Sequence, residues 1–162
     1  MNTIESTLTS KPKYVDLLGK EQALKLLHVF ADIESGKYDK NEIHTFKLNG
    51  ISHPIHLRAI RADMQSFVNT FIDVYLDKKP YLTDATFVID AGANIGYTAV
   101  LFANYWPQCK IISIEPDKEN YELSLKNTSP YSNITVLNGG LWNKEVKLRI
   151  EVGVRRWNYH SF

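Results

Sequence analysis

The first half of the chain alternates between helical and strand-like patterns of apolar residues. Within residues 14–33 they recur every three or four positions, which predicts an amphipathic helix ending at Ser35-Gly36. Residues 43–48 and 51–57 are predicted as two short strands. Asn49-Gly50 between them is a strong signal for a tight hairpin turn. This half is therefore predicted to be a helical and hairpin extension.

A second helix is predicted over residues 64–76, with residues 78–80 as a short connector. The pattern then changes. Phe87-Val88-Ile89 is a continuous apolar run, typical of a strand buried on both faces of a parallel sheet. Helices over 97–106 and 117–127, the latter with Asp117 as N-cap, are predicted to alternate with strands over 111–114 and 134–137. This alternation predicts a Rossmann-like, doubly wound α/β sheet, followed by a half-exposed strand over 146–152.

Composition narrows the class of protein. The 162 residues fit one domain, and a formal charge of +1 gives no electrostatic reason to expect a nucleic acid or an anionic membrane as partner. There is one cysteine, no apolar signal-peptide core at the start, and no apolar run long enough to cross a bilayer. These features predict a cytoplasmic protein. His53 and His56 are predicted to be surface or hairpin histidines rather than a metal pair, because a proline lies between them, no cysteine is near and the segment is predicted as a strand.

The loop from Asp90 to Gly96 carries the candidate chemistry. Gly92 and Gly96 allow a sharp turn and a close approach of backbone N–H groups to a ligand. The next helix begins near Gly96, so its positive end faces the same place. Asp90 lies at the carboxyl end of its strand, where open α/β sheets form their binding crevice.

Glu115 ends the following strand. A carboxylate at that position can accept hydrogen bonds from both hydroxyls of a ribose. Pro116 beside it could form a wall against an adenine ring. The competing interpretation is a tight turn with a solvated glutamate.

The spacing of the glycines favours one cofactor chemistry over another. The dinucleotide fingerprint G-x-G-x-x-G needs a glycine two residues after Gly92, where Asn94 stands. The observed Asp-x-Gly-x-x-x-Gly leaves Asp90 free for a cationic amino group, while the turn amides face a carboxylate. A methionyl group has both of these groups and a pyrophosphate has neither, so the loop predicts S-adenosylmethionine rather than NAD.

From about Leu57 onward the chain resembles the FkbM-type methyltransferases, a class I S-adenosylmethionine-dependent family. The resemblance rests on the following residues: Leu57-Arg58, Asp63 and Phe67, the run from Val88 to Thr98, Ile114-Glu115-Pro116-Asp117, Asn120-Tyr121, Leu123, Asn127, and Asn133 to Val136. Ala62 departs from the family, where a serine is common.

The resemblance implies methyl transfer, most often to a hydroxyl of a sugar or secondary metabolite. By analogy with the family, Asp90, Gly92 and Asn94 surround the methionyl part, and Glu115 holds the ribose. The stretch Asn138 to Leu141, which includes Gly139, would lie near the adenine. No catalytic residue is assigned.

The end of the chain departs from the family. A Lys-x-Asp-x-Glu-Gly motif is expected on a fourth parallel strand and is absent. The sequence therefore predicts an incomplete sheet, in a truncated chain or a fragment of a longer gene product. Phe87-Val88-Ile89 would form an exposed edge, prone to self-association. We place the N-terminal extension at residues 1–80 and the cofactor-binding part at 81–162.

Three functions remain open at this stage. The first is the cofactor-binding half of an O-methyltransferase. The second is a non-catalytic methyltransferase-like module that binds a ligand or a partner chain, with the open strand edge as its docking surface. The third is a nicotinamide-dependent enzyme, which the missing middle glycine disfavours.

Overall fold

The computed structural model describes residues 10–74 and 84–144. Its first element is helix α1, Pro12–Ser35, which bends at Gly19 (φ 71°, ψ 158°). Gly36 adopts φ 73° and ends the helix, with the Lys37 N–H bonded to the Asp32 carbonyl at 2.9 Å. The predicted helical segment and its end are confirmed, but Gly19 interrupts the helix that was predicted as continuous. No helix within the described ranges is long and apolar enough to cross a membrane.

Two short strands, β1 (Ile43–Phe46) and β2 (Ile55–Arg58), pair antiparallel, with Phe46 opposite Ile55. The hairpin is confirmed, and so is a turn at Asn49-Gly50, where the Ile51 N–H donates to the Leu48 carbonyl at 3.2 Å and Gly50 adopts φ 81°. Both strands are shorter than predicted, so the turn lies at the tip of a longer loop. The Asn49 backbone N–H donates to the Leu17 carbonyl at 2.7 Å, and its side-chain amide donates to the Asp16 carbonyl at 2.6 Å. These bonds hold the loop over residues 47–54, including its turn, against α1.

Helix α2 spans Arg61–Phe67 and continues as a π-helical segment, Val68–Val74. The helix predicted over 64–76 is therefore present, but it begins earlier and changes its winding at Val68. The end of that prediction and the predicted connector 78–80 lie outside the described residues, as does the predicted strand over 146–152.

The second half forms a parallel sheet. Strands β3 (Phe87–Ala91), β4 (Lys110–Glu115) and β5 (Ile134–Asn138) lie in the order β3-β4-β5. Helix α3 (Tyr97–Tyr105) connects the first pair, and α4 (Lys118–Thr128) connects the second. Asp117 caps α4, its side chain accepting from the Asn120 N–H at 2.9 Å. The predicted α/β alternation and N-cap are confirmed.

One face of this sheet is covered in the described structure. Val88 and Ile111 pack with Ala99 and Ala103 of α3. On the opposite face Phe87 is 50% exposed and Ile89 54% exposed. The prediction that this strand is buried on both faces is therefore wrong. An apolar run does not by itself reveal which of its two faces is covered.

The N-terminal extension and the parallel sheet share one hydrophobic core. Phe67 and Phe71 contact the ring of Tyr97, with centroids 6.3 and 5.0 Å away. The Tyr97 hydroxyl donates to the His56 carbonyl at 2.9 Å, and complete burial raises the pKa of this tyrosine well above its usual value. The predicted boundary at residue 80 lies outside the described residues and stays a prediction.

Replacing Gly96 with alanine tests how closely α3 approaches α4. An added Cβ would lie 2.7 Å from the Ser124 Oγ at a residue whose φ is +85°. Gly36 has a similar φ of +73° with nothing within 4 Å. We expect Gly36→Ala to cost about 1–2 kcal/mol from backbone strain. Gly96→Ala should cost roughly 1–3 kcal/mol more, from overpacking. Urea denaturation measures both, and equal losses would contradict the packing argument.

Candidate functional site

The loop after β3 is fastened to the neighbouring strand by its own backbone. Gly92 and Asn94 adopt positive φ angles of 81° and 49°. This turns the chain so that the N–H groups of Gly92 and Ala93 both donate to the Ile114 carbonyl, at 2.9 and 3.0 Å. Glycine at position 92 is therefore explained by the turn itself. The loop has a fixed position relative to the end of β4.

Gly96 serves packing between helices. It is buried against Ser124 of α4, and its N–H donates to the Ala93 carbonyl at 2.9 Å. The backbone N–H groups of Gly92, Ala93, Asn94 and Gly96 all bond within the protein. The hypothesis that the turn amides face a ligand's carboxylate does not hold for these four groups.

Glu115 is the carboxylate around which the loop closes. It is 6% exposed. One of its oxygens accepts from the Asn94 N–H at 2.7 Å and the other accepts from the Asp117 N–H at 2.9 Å. The interpretation of Glu115 as a solvated glutamate is therefore wrong. Since a carboxylate oxygen has two lone pairs, each oxygen can still accept from a further donor.

Asp90 has the opposite environment. Its Oδ2 atom is buried and has no hydrogen-bond partner among the described residues. Burial, and then the charge of Glu115, raises its pKa from 3.8 to about 6. Ser113, which is paired with Asp90 in the sheet register, also buries an unpartnered hydroxyl. Buried polar atoms without a partner mark a place where a ligand or a water would bind.

Asn138 and Gly139 lie beside the segment that carries Glu115. The Asn138 side-chain amide donates to the Glu115 carbonyl at 2.9 Å and to the Pro116 carbonyl at 3.3 Å. The Gly139 N–H donates to the same Glu115 carbonyl at 3.1 Å. Both residues thus hold the Glu115-Pro116 backbone. Leu141, at 58% exposed, offers an apolar surface.

These contacts bring most of the predicted residues together at the carboxyl edge of the sheet: Asp90, Gly92, Asn94, Glu115, Pro116, Asn138 and Gly139. Gly96 lies at the start of α3, and Leu141 follows Gly139 in the chain. Their assignment to a cofactor stays a prediction. The predicted residues at this edge include two carboxylates, one held by amides and one with an unpartnered oxygen.

The structure adds a residue to which the sequence analysis gave no role. The fully buried Asn127 donates to the Ile95 carbonyl at 2.8 Å and to the His56 carbonyl at 3.1 Å. Its side-chain oxygen accepts from the His56 N–H at 2.7 Å. Asn127 therefore joins the glycine loop to the hairpin. The sequence offered two signals, an asparagine within a helical pattern and its place among the residues that carry the family resemblance.

A cleft of about 400 Å³ lies elsewhere, between the hairpin and α4. Its lining includes Arg58, Glu119 and Lys126 but none of the residues from Asp90 to Gly96. The unpartnered oxygen of Asp90 is stronger evidence for a ligand-binding site than this cleft is. The cleft's Arg58 already bonds to Asp63 and Asn120.

Comparisons with known proteins give distant similarities. No protein family's sequence profile matches the chain, and no curated protein matches it. Among solved structures, P. horikoshii TYW2 in complex with MeSAdo is 18% identical with a TM-score of 0.45, covering 70% of this chain and 46% of that one. A protein-L-isoaspartate O-methyltransferase is 14% identical with a TM-score of 0.35, covering 66% and 31%. The chain thus spans less than half the length of either structure.

The raised pKa of Asp90 sets a pH dependence. Because the pKa is about 6 in the fold against an ordinary 3.8, the contribution of Asp90 to stability is fully present below pH 3.8 and is lost as the pH rises through 6. We expect the stability of Asp90→Asn relative to wild type to rise by on the order of 2 kcal/mol between pH 4 and pH 8. Urea denaturation across this range measures the difference. A pH-independent difference would contradict the assigned environment.

Proposed function

We propose that the chain binds S-adenosylmethionine at the carboxyl edge of its sheet, as the cofactor-binding part of a class I methyltransferase. One observation carries the proposal, namely the contrast between the two neighbouring carboxylates. Glu115 is fixed by two backbone amides, and Asp90 buries an oxygen without a partner in the described structure. A ligand with a ribose diol and an ammonium group complements both.

The described residues fit this cofactor in their chemistry. Each oxygen of Glu115 keeps a lone pair for a ribose hydroxyl. An ammonium group would satisfy the Asp90 carboxylate and favour its ionised form. The exposed Leu141 and Pro116 offer apolar contact for an adenine ring. The N–H groups of Gly92, Ala93, Asn94 and Gly96 bond within the protein, so none of these four would hold the cofactor.

The bound cofactor would supply a methyl group on a sulfonium, open to displacement by a nucleophile. The residues of this chain would bind and orient the cofactor, and this positioning would lower the barrier to the displacement. Asp90 would hold the amino-acid end and Glu115 the ribose, so both ends of the cofactor would be fixed around the reacting sulfur. We assign no general base.

The acceptor proposed from the FkbM resemblance is a hydroxyl of a sugar or secondary metabolite. The FkbM assignment rests on the motif residues alone, since no family profile matches the chain. A cytoplasmic location, and self-association through the β3 edge, are proposed on sequence grounds as well. A non-catalytic module would use the same cofactor site without methyl transfer.

Calorimetric titration of S-adenosylhomocysteine into the purified chain tests the proposal. We expect binding by the wild type and a loss of about ten-fold or more in affinity for Glu115→Gln, because the variant removes the charged acceptor of the ribose hydroxyls. Glu122→Gln is the matched control. It removes an exposed carboxylate of α4, whose ion pair with Lys118 is 3.9 Å long, and should bind as wild type does.

NAD should give no heat of binding in the same experiment, because the loop lacks the middle glycine of the dinucleotide fingerprint. A folded wild-type chain that binds NAD in preference to S-adenosylhomocysteine would favour the nicotinamide-dependent alternative. A folded chain that binds neither ligand would refute the cofactor assignment.

A further inference from the structure

A buried ion pair in the N-terminal extension lies at the start of a path to the proposed cofactor site. Asp63 of α2 is fully buried. It accepts from the Arg58 guanidinium at 2.9 Å (Nε) and 2.8 Å (Nη2), and from the Arg58 backbone N–H at 2.9 Å. This two-point contact fixes the plane of the guanidinium, which a single contact would leave free to rotate.

The same guanidinium reaches the first turn of α4. Its Nη2 donates to the Asn120 side-chain oxygen at 2.6 Å. The Asn120 N–H donates to the Asp117 carboxylate, and the Asp117 N–H donates to the Glu115 carboxylate, both at 2.9 Å. Hydrogen bonds therefore run without a break from Asp63 to Glu115, whose other oxygen holds the Asn94 N–H.

Arg58 carries its positive charge at a place where the dipole of α4 opposes it. A cation beside the N-terminus of a helix is disfavoured by the helix dipole. Arg58 is stabilised there by the Asp63 carboxylate and by Glu119, whose carboxylate oxygen lies 3.7 Å from Nη1. Burial lowers the pKa of Arg58, but these acids and Asp117 outweigh it, so the pKa is raised on balance. The guanidinium thus ties the start of α4 to the hairpin.

We propose that Arg58, acting through Asn120, is a positioning residue that sets the orientation of the Glu115 carboxylate toward the cofactor's ribose. This inference rests on the proposed function. With the Asn120 side chain held by Arg58, the turn from Glu115 to Asn120 keeps one conformation, in which the Asp117 N–H faces Glu115. Without that contact the turn can rotate and Glu115 loses its fixed donor.

The test compares Asn120→Ala with wild type on two ligands, S-adenosylhomocysteine and its 2′-deoxyribose analogue. We expect the wild type to prefer the ribose form by about ten-fold or more, and Asn120→Ala to reduce that preference to within about three-fold. A general loss of stability would lower the affinity for both ligands by the same factor and leave the ratio of the two affinities unchanged. Asn120→Asp keeps an acceptor oxygen for Arg58 and should restore the preference.

Asn104→Ala is the matched control. Asn104 also joins the N-terminal extension to the sheet half, since its side-chain oxygen accepts from the Ser52 N–H at 2.8 Å and the Ser52 hydroxyl at 2.7 Å. It lies near the far end of α3, away from Glu115. Asn104→Ala should lower the melting temperature and leave the ribose preference at the wild-type value.

A spectroscopic readout follows Glu115 without any ligand. The Asn94 nitrogen lies 2.7 Å from the Glu115 carboxylate oxygen, so its amide proton should resonate downfield in wild type. We expect the same downfield shift in Asn104→Ala and Asn120→Asp, and an upfield movement in Asn120→Ala. If Asn120→Ala does not fold, Arg58→Lys takes its place. It keeps a charge for Asp63 but cannot bond to both Asp63 and Asn120 in the same geometry.

The outcomes separate the two proposals. Binding of S-adenosylhomocysteine by Asn120→Ala with an unchanged ribose preference, or an unchanged Asn94 shift, overturns the positioning role and leaves the proposed function intact. A folded wild type that binds neither ligand overturns the proposed function, and the positioning role with it. Equal loss of preference in Asn104→Ala also overturns the positioning role, because the effect would then not depend on the path through Asn120.

Discussion

The burial of one carboxylate constrains much of what surrounds it. Glu115 is 6% exposed, and removing a charged group from water is costly unless donors replace the lost hydration. Two backbone N–H groups do so here, those of Asn94 and Asp117. The first donor requires the glycine loop to turn back over β4, and the second requires α4 to start immediately after the strand. The loop, the strand end and the helix start are therefore interdependent.

This dependence extends to the N-terminal extension. Asn127 bonds both to the glycine loop and to the hairpin, and Arg58 of the hairpin bonds to the first turn of α4. A shift of the hairpin would break contacts on both sides of the Glu115 segment. The extension is thus part of the support of the site, although the residues assigned to the carboxyl edge of the sheet all belong to the second half of the chain.

Local sequence patterns predicted a structural feature correctly where residues close in the chain determine it. Asp117 caps α4 and Gly36 ends α1 because both act through their own backbone neighbourhood. The lengths of β1 and β2 and the two-sided burial of β3 were predicted wrongly because distant partners decide them. Bonds from Asn49 to α1 hold the loop beyond the strand ends, and Phe87 and Ile89 are buried or exposed according to what covers their face.

The same distinction applies to the site. Asp90 and Glu115 could be assigned from their places at strand ends, since parallel strands bring those ends to one edge. Their different environments could not, because Asn94 adopts φ 49° and turns its amide toward Glu115 rather than Asp90. One acid is thereby fixed by amides, while the other keeps an unpartnered oxygen and a pKa raised to about 6. Two acids with such different surroundings are suited to different groups of one ligand, since the fixed charge favours neutral hydroxyl donors and the unsatisfied one favours a cation.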